Sequence, residues 1–167
     1  MGTGARGRHG GAMTTAHRTT VIVVGPGEGR RIPGPENLTL KAGAEHTGGA
    51  IGVLEGTTPA GFAPPPHIHH DADELFYVLG GAFRFLLGED TVEAPAGSFV
   101  YVPRGTVHQP EVIGPEPGRV LVAFVPGGQE RAFDDFAALA AAGGDLTGEQ
   151  AQAIARRYHS EFVELPR

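Results

Sequence analysis

The chain has no cysteine, no tryptophan and only two methionines, and aromatics make up 7% of its 167 residues. Without cysteine there can be no disulfides, no thiolate metal site and no cysteine nucleophile. Basic residues are scarce as well. Thirteen Lys and Arg against 19 Asp and Glu give a formal net charge of −6, which argues against a surface for nucleic acid or anionic membrane. No apolar run approaches the roughly 18 residues of a spanning helix. No segment before Val21 has the apolar centre of a signal peptide, so the cytoplasm is the expected compartment. Ser, Lys and Cys nucleophile arrangements are missing. The single glycine-rich candidate for phosphate binding, Gly25-Pro26-Gly27-Glu28-Gly29, loses a donor at Pro26 and leads into no helical pattern.

What the chain has in excess is turn formers. Its 27 Gly and 14 Pro are about a quarter of all residues, twice the roughly 12% of an average protein. Such a chain is cut into short pieces, which points to an all-β fold rather than a helical bundle. A 40% hydrophobic content is enough for one buried core at this length. Residues 1–19 lack periodicity and are expected to form a flexible leader, with Met13 as a second possible start. Strands are expected at Thr20 to Val24, Leu38 to Lys41, Ala50 to Glu55, Leu75 to Leu79, Ala82 to Leu87, Phe99 to Val102, Val107 to Ile113 and Arg119 to Val125. Gly80-Gly81 suggests a hairpin between two of them. Pro64-Pro65-Pro66 must be extended. About eight strands at this spacing suggest an antiparallel sandwich or barrel over residues 20–128.

After residue 129 the apolar period changes. Phe133, Phe136, Ala137 and Ala140 repeat at helical spacing, and Thr147-x-x-Gln150 has the form of a capping box opening a second helix to about His159. Residues 129–167 are therefore expected to be a helical extension, packed on the outside or over the mouth of the sheet.

Four of the eight histidines fall in two short segments. On a strand, His67 and His69 share a face. Glu74 can join them only if the polar stretch His70-Asp71-Ala72-Asp73 forms a turn or bulge, and it would then share its face with Phe76 and Val78. Asp71 and Asp73 are expected to be turn formers, His70 and Tyr77 to face away, and His108 to come from another strand across the barrel. Three imidazoles and a carboxylate suit a first-row divalent ion: Fe, Mn, Co, Ni, Cu or Zn. An octahedral ion with four protein ligands keeps two positions open.

The two segments resemble the paired motifs of the cupin superfamily. Gly61, His67, His69, Glu74 and Gly81 match the first in full, and Gly97, Pro103, Gly105 and His108 match the second, which departs at its last position, where Val112 replaces Asn. The resemblance implies a double-stranded β-helix, or jelly-roll barrel, followed here by two short helices. It implies one divalent transition metal ion per chain held by His67, His69, Glu74 and His108, with Glu74 also the candidate catalytic base. Val112, inward by parity with His108, favours an apolar substrate. Phe76, Phe85, Phe99, Tyr101, Val112 and Phe124 are candidate pocket residues, Tyr101 as a polar handle, although barrel core is the plainer reading of the aromatics.

The single-barrel layout is most similar to the bacterial quercetin-dioxygenase-like group. It implies a metal-dependent dioxygenase acting on an enol- or phenol-containing small molecule. Two other functions fit the same residues: a non-redox metal-dependent isomerase or cyclase of a small carbonyl or polyketide compound, and a non-catalytic barrel that binds a small ligand. The partners expected are the small-molecule substrate and a second copy of the chain in a homodimer, since a sheet edge needs covering.

Overall fold

The structure is a computed structural model that describes residues 21–164. The expected leader, His9, His17 and Thr20 lie outside the described residues. The chain forms β1 (Arg30–Ile32), β2 (Leu38–Ala42), a single-turn helix α1 (Ala44–Thr47), β3 (Gly52–Thr58), β4 (His67–His69), β5 (Asp73–Gly80), β6 (Ala82–Leu87), β7 (Asp90–Pro95), β8 (Phe99–Val102), β9 (His108–Ile113) and β10 (Gly118–Val125). A 3-10 turn at Gln129–Arg131 leads into α2 (Ala132–Ala141), α3 (Glu149–Arg157) and β11 (Ser160–Phe162).

The strands make two antiparallel sheets, ordered β1-β2-β3-β10-β5-β8 and β11-β4-β9-β6-β7. Apart from the β6–β7 hairpin, successive strands from β3 to β10 cross from one sheet to the other, winding the chain as a double-stranded β-helix. Inward residues alternate along each strand: Glu74, Phe76 and Val78 on β5, Phe83 and Phe85 on β6, and Val120, Val122 and Phe124 on β10 are all buried. Phe85 is fully buried against Phe76, at a centroid distance of 4.9 Å.

Three expectations need correction. The segment Val21–Val24 is not a strand. It pairs with nothing among the described residues, and Val21 and Val23 are each 86% exposed. The residues around Gly80-Gly81 are not a hairpin. β5 pairs with β10 and β8, while β6 pairs with β7 and β9. Gly81 instead turns the chain between sheets, with φ +69°, and a Cβ there would lie 2.8 Å from the Pro117 carbonyl oxygen. Both the left-handed backbone and the close approach select glycine. Finally, Thr147 does not cap α3. The N-cap is Gly148, without a side-chain bond, and the Thr147 hydroxyl donates to Asp145 instead.

The C-terminal segment is tied into the barrel. β11 adds a strand beside β4, pairing Ser160 with His69 and Phe162 with His67. The buried Glu130 carboxylate accepts from the backbone N–H groups of Ala44 and Gly128, joining the 3-10 turn to the start of α1. Gly52 leaves the room for that carboxylate, because a Cβ there would overlap it.

Candidate metal centre

His67 and His69 stand on β4, His108 on β9 and Glu74 on β5. His67 and His108 are directly opposed in the β4–β9 pair, with ring centroids 4.2 Å apart. The three imidazoles thus come from one sheet. His108 is a neighbour of His67 and does not reach across the barrel, contrary to the expectation from sequence. It is Glu74 that comes from the facing sheet. The bend at residues 70–72 lets the chain pass between sheets and bring Glu74 back to the same interior. One potential ligand atom from each of the four residues lies within 4.8 Å of all the others.

Each ring is held from behind. His67 Nδ1 lies 2.9 Å from the Pro65 carbonyl oxygen, His108 Nδ1 lies 3.0 Å from the Thr106 carbonyl oxygen, and His69 Nδ1 lies 2.7 Å from Ser160 Oγ. A carbonyl oxygen can only accept, so Nδ1 of His67 and of His108 carries hydrogen and Nε2 faces inward. Ser160 donates its own hydrogen to Gln129 Oε1 at 2.9 Å, and Gln129 Nε2 donates to the Tyr158 carbonyl oxygen. With its proton committed, Ser160 Oγ must accept from His69 Nδ1, which fixes the same tautomer there. Such outer partners set the orientation and basicity of metal-binding imidazoles. Ser160 and Gln129 are buried, and nothing in the sequence marks them, since Ser160 lies 91 residues from His69.

The inner face of the cluster supports the same assignment. His69 Nε2 is buried without a hydrogen-bond partner; it lies 3.0 Å from Glu74 Oε2, but out of line for a bond. A buried, orphaned nitrogen lone pair aimed at two further imidazoles and a carboxylate is what a divalent ion would satisfy. His108 Nε2 donates to Glu74 Oε2 at 2.7 Å. Burial alone would push the Glu74 carboxyl up, but the facing His69 and His108 outweigh it and hold it well below the usual carboxylate range. Burial, helped by the neighbouring His108, pushes His67 down to about 3. His108 moves the other way. Burial lowers it, but the hydrogen bond and charge of Glu74 prevail and raise it. The cluster therefore presents an ionised Glu74 carboxylate, a neutral His67 and a His108 with hydrogen on both ring nitrogens, whose Nε2 proton an ion would displace.

The cluster opens into a cavity of about 280 Å³ lying between the two sheets and under α2. Its wall is mostly apolar, and no lysine or arginine lines it among the described residues. Phe76, Val112 and Phe124 reach this wall, as does Phe83. Phe85 packs behind them in the core. Phe99 and Tyr101 lie elsewhere. They are 60% and 50% exposed on the outer face of β8, while Val100 and Val102 point inward. The order of aromatic and valine along β8 sets this parity, so Tyr101 is no polar handle for a ligand in the cavity. Phe133, Phe136 and Ala137, the helical stripe read from the sequence, form the roof.

Residues 53–124 match the Cupin domain family. An uncharacterised protein of Methanocaldococcus jannaschii is 31% identical over 74 residues, which cover 44% of this chain and 59% of the relative. The chain spans little more than half the length of the curated relatives it matches. Among solved structures, KdgF from Halomonas sp. superposes with TM-score 0.52 at 21% identity, over 58% of this chain and 84% of that one. An RmlC-like cupin from Shewanella frigidimarina does so with TM-score 0.51 at 18% identity, over 60% and 84%. At these identities the structural likeness concerns the fold. The matched segment carries His67, His69, Glu74 and His108, and the fold around it is a double-stranded β-helix like that of these structures.

Proposed function

We propose that the protein is a metal-dependent enzyme acting on a small enol- or phenol-containing molecule, most concretely a dioxygenase similar to the quercetin-dioxygenase-like cupins. The observation that carries this reading is the His67, His69, Glu74 and His108 cluster opening into an apolar cavity without cationic side chains. Such a cavity suits an uncharged, largely apolar body. A bound divalent transition ion would supply Lewis acidity toward a substrate hydroxyl and, if redox-active, electrons for reaction with O₂. The chain's own residues do the rest. Glu74, held ionised, is placed to take the hydroxyl proton. The Phe76, Phe83 and Phe124 rings exclude water and bracket a flat molecule.

A non-redox isomerase or cyclase of a small carbonyl compound uses the same ligands and remains the second reading; turnover without O₂ consumption would select it. The test begins with elemental analysis of the untagged protein beside a His69→Ala/His108→Ala control. About one redox-active ion per chain, lost in the control, is expected, followed by O₂ uptake with enols or flavonols. Zinc alone would shift weight to the non-redox reading. No ion, even after soaking with Fe, Mn, Co, Ni, Cu and Zn, would overturn both and leave a ligand-binding barrel. We also propose a homodimer in the cytoplasm; among the described residues no helix is long and apolar enough to cross a membrane.

A further inference from the structure

Among the described residues, Glu36 is the one acidic side chain of the cavity wall that stands outside the ligand cluster. It lies in the loop between β1 and β2, two and four residues before the inward-facing Leu38 and Leu40. The loop backbone is pinned to β3. Thr57 N–H donates to the Glu36 carbonyl oxygen at 3.0 Å, Asn37 Nδ2 donates to the Thr57 carbonyl oxygen at 3.3 Å, and Asn37 N–H donates to the Gly34 carbonyl oxygen at 3.2 Å. Asn37 is held at φ +43°, a conformation a non-glycine residue adopts rarely. Such local strain persists only where the surroundings over-determine it. Among the described residues, nothing hydrogen-bonds or ion-pairs with the Glu36 carboxyl. A carboxyl lining an apolar cavity without a protein partner calls for one from a ligand.

We propose that Glu36 is a ligand-binding residue of the cavity, taking a second oxygen of an uncharged substrate whose first oxygen lies at the His67–His69–Glu74–His108 cluster. This rests on the reading of the cluster as a metal centre for an enol or phenol. It narrows the substrate to an apolar molecule with a further hydroxyl or carbonyl group, and it disfavours substrates with an anionic group at the Glu36 end, where among the described residues no lysine or arginine lines the wall. The desolvation that pushes Glu36 up to about 7, aided by the Glu74 charge, lets it donate or accept near neutrality. It can therefore bond a carbonyl when protonated and a hydroxyl in either state.

The test is a fluorescence titration of the full chain, loaded with zinc so that no turnover intervenes. The probes are 3-hydroxyflavone and a set of isomeric dihydroxyflavones that add one hydroxyl to it on either ring system. At least one dihydroxy isomer is expected to bind the wild type roughly tenfold tighter than 3-hydroxyflavone, as one hydrogen bond to a half-buried carboxyl allows. Glu36→Leu should erase that gain and leave 3-hydroxyflavone within about twofold, because that probe lacks the added hydroxyl that Glu36 would bond. Glu36→Gln, which can still donate and accept, should keep part of it. A gain that survives in Glu36→Leu, or no gain for any isomer in the wild type, would overturn the proposal. Zinc content measured in parallel separates the two ideas. Full zinc without a Glu36-dependent gain removes the Glu36 contact alone. Failure to take up zinc removes the metal centre, while a Glu36-dependent gain in that protein would still support the contact.

Discussion

At the scale of single residues, the side chains behind the ligands are as decisive as the ligands. Ser160→Ala leaves all four ligands in place but removes the acceptor for His69 Nδ1–H. The ring is then free to rotate or change tautomer, and Gln129 Oε1 loses its donor. Loss of such an outer partner typically costs 10–100-fold in metal affinity. Zinc competition against a chelator is expected to show a drop of that order, with an unchanged far-ultraviolet circular dichroism spectrum; equal affinity would show that Ser160 does not orient the ring.

Glu36 yields a prediction of opposite sign to that of an ordinary carboxylate. Its folded pKa lies near 7, above the usual 4.5, so between those values the folded state holds a proton that the unfolded chain has released. Stability must then fall as pH rises through this window, the loss being complete above about 7. Denaturant titrations of wild type and Glu36→Gln at pH 4.5 and pH 7.5 should diverge, the wild type losing about 1–2 kcal/mol more than the variant, after a discount for access of water to the cavity. Parallel pH profiles would place the Glu36 carboxyl in water. The sequence made the ligand spacing legible because His67, His69, Glu74 and His108 lie in two compact segments. Ser160 and Gln129 were not legible, since their roles arise from pairing across the whole chain. Glu36 had a weak local signal, its spacing of two and four residues from Leu38 and Leu40.

At the scale of elements, strand positions followed from alternation, whereas pairing did not. Ala82–Leu87 and Phe99–Val102 have the bounds that their apolar pattern suggests. β7 escaped notice because Asp90-Thr91-Val92-Glu93-Ala94-Pro95 exposes most of its residues and carries little apolar pattern. The Gly80-Gly81 pair looks like a hairpin turn because a two-glycine link between apolar runs serves a hairpin and a sheet-to-sheet crossing equally well. Only the long-range pairing of β5 with β10 decides between them. The crossing also makes Gly81 more sensitive than a hairpin glycine. Gly81→Ala adds a Cβ in the left-handed region that also meets the Pro117 carbonyl oxygen at 2.8 Å. Unfavourable backbone and contact together should cost about 1–3 kcal/mol. The urea midpoint is expected to fall with an unchanged slope, and a loss below about 0.5 kcal/mol, within the range of neutral surface changes, would mean that the turn relaxes.

At the scale of the whole molecule, the two faces of one sheet divide the work. Along β5, Glu74 and Phe76 face the cavity and Val78 the core beside it, while Tyr77 and Leu79 are exposed on the other side. β8 repeats the division, with Val102 inward beside Glu74 and with Phe99 and Tyr101 outward, opposite Tyr77 and Leu75. β8 is also an outer strand of its sheet. An edge strand with a cluster of exposed aromatics beside it is a liability for a lone subunit and a natural surface for a second copy. These side chains, misread from sequence as pocket residues, are better suited to the proposed dimer. A double charge substitution, Phe99→Glu/Tyr101→Glu, changes only outward positions, so sedimentation should move from twice the chain mass of 17.4 kDa to that of one chain. Because Val102 still backs Glu74 in the variant, zinc affinity should stay within about twofold, well inside the 10–100-fold loss expected at Ser160. A variant that remains dimeric would place the subunit contact elsewhere. One that becomes monomeric and loses zinc would show that the outer face supports the metal cluster, and that assembly and the site are coupled through the backbone of β5 and β8.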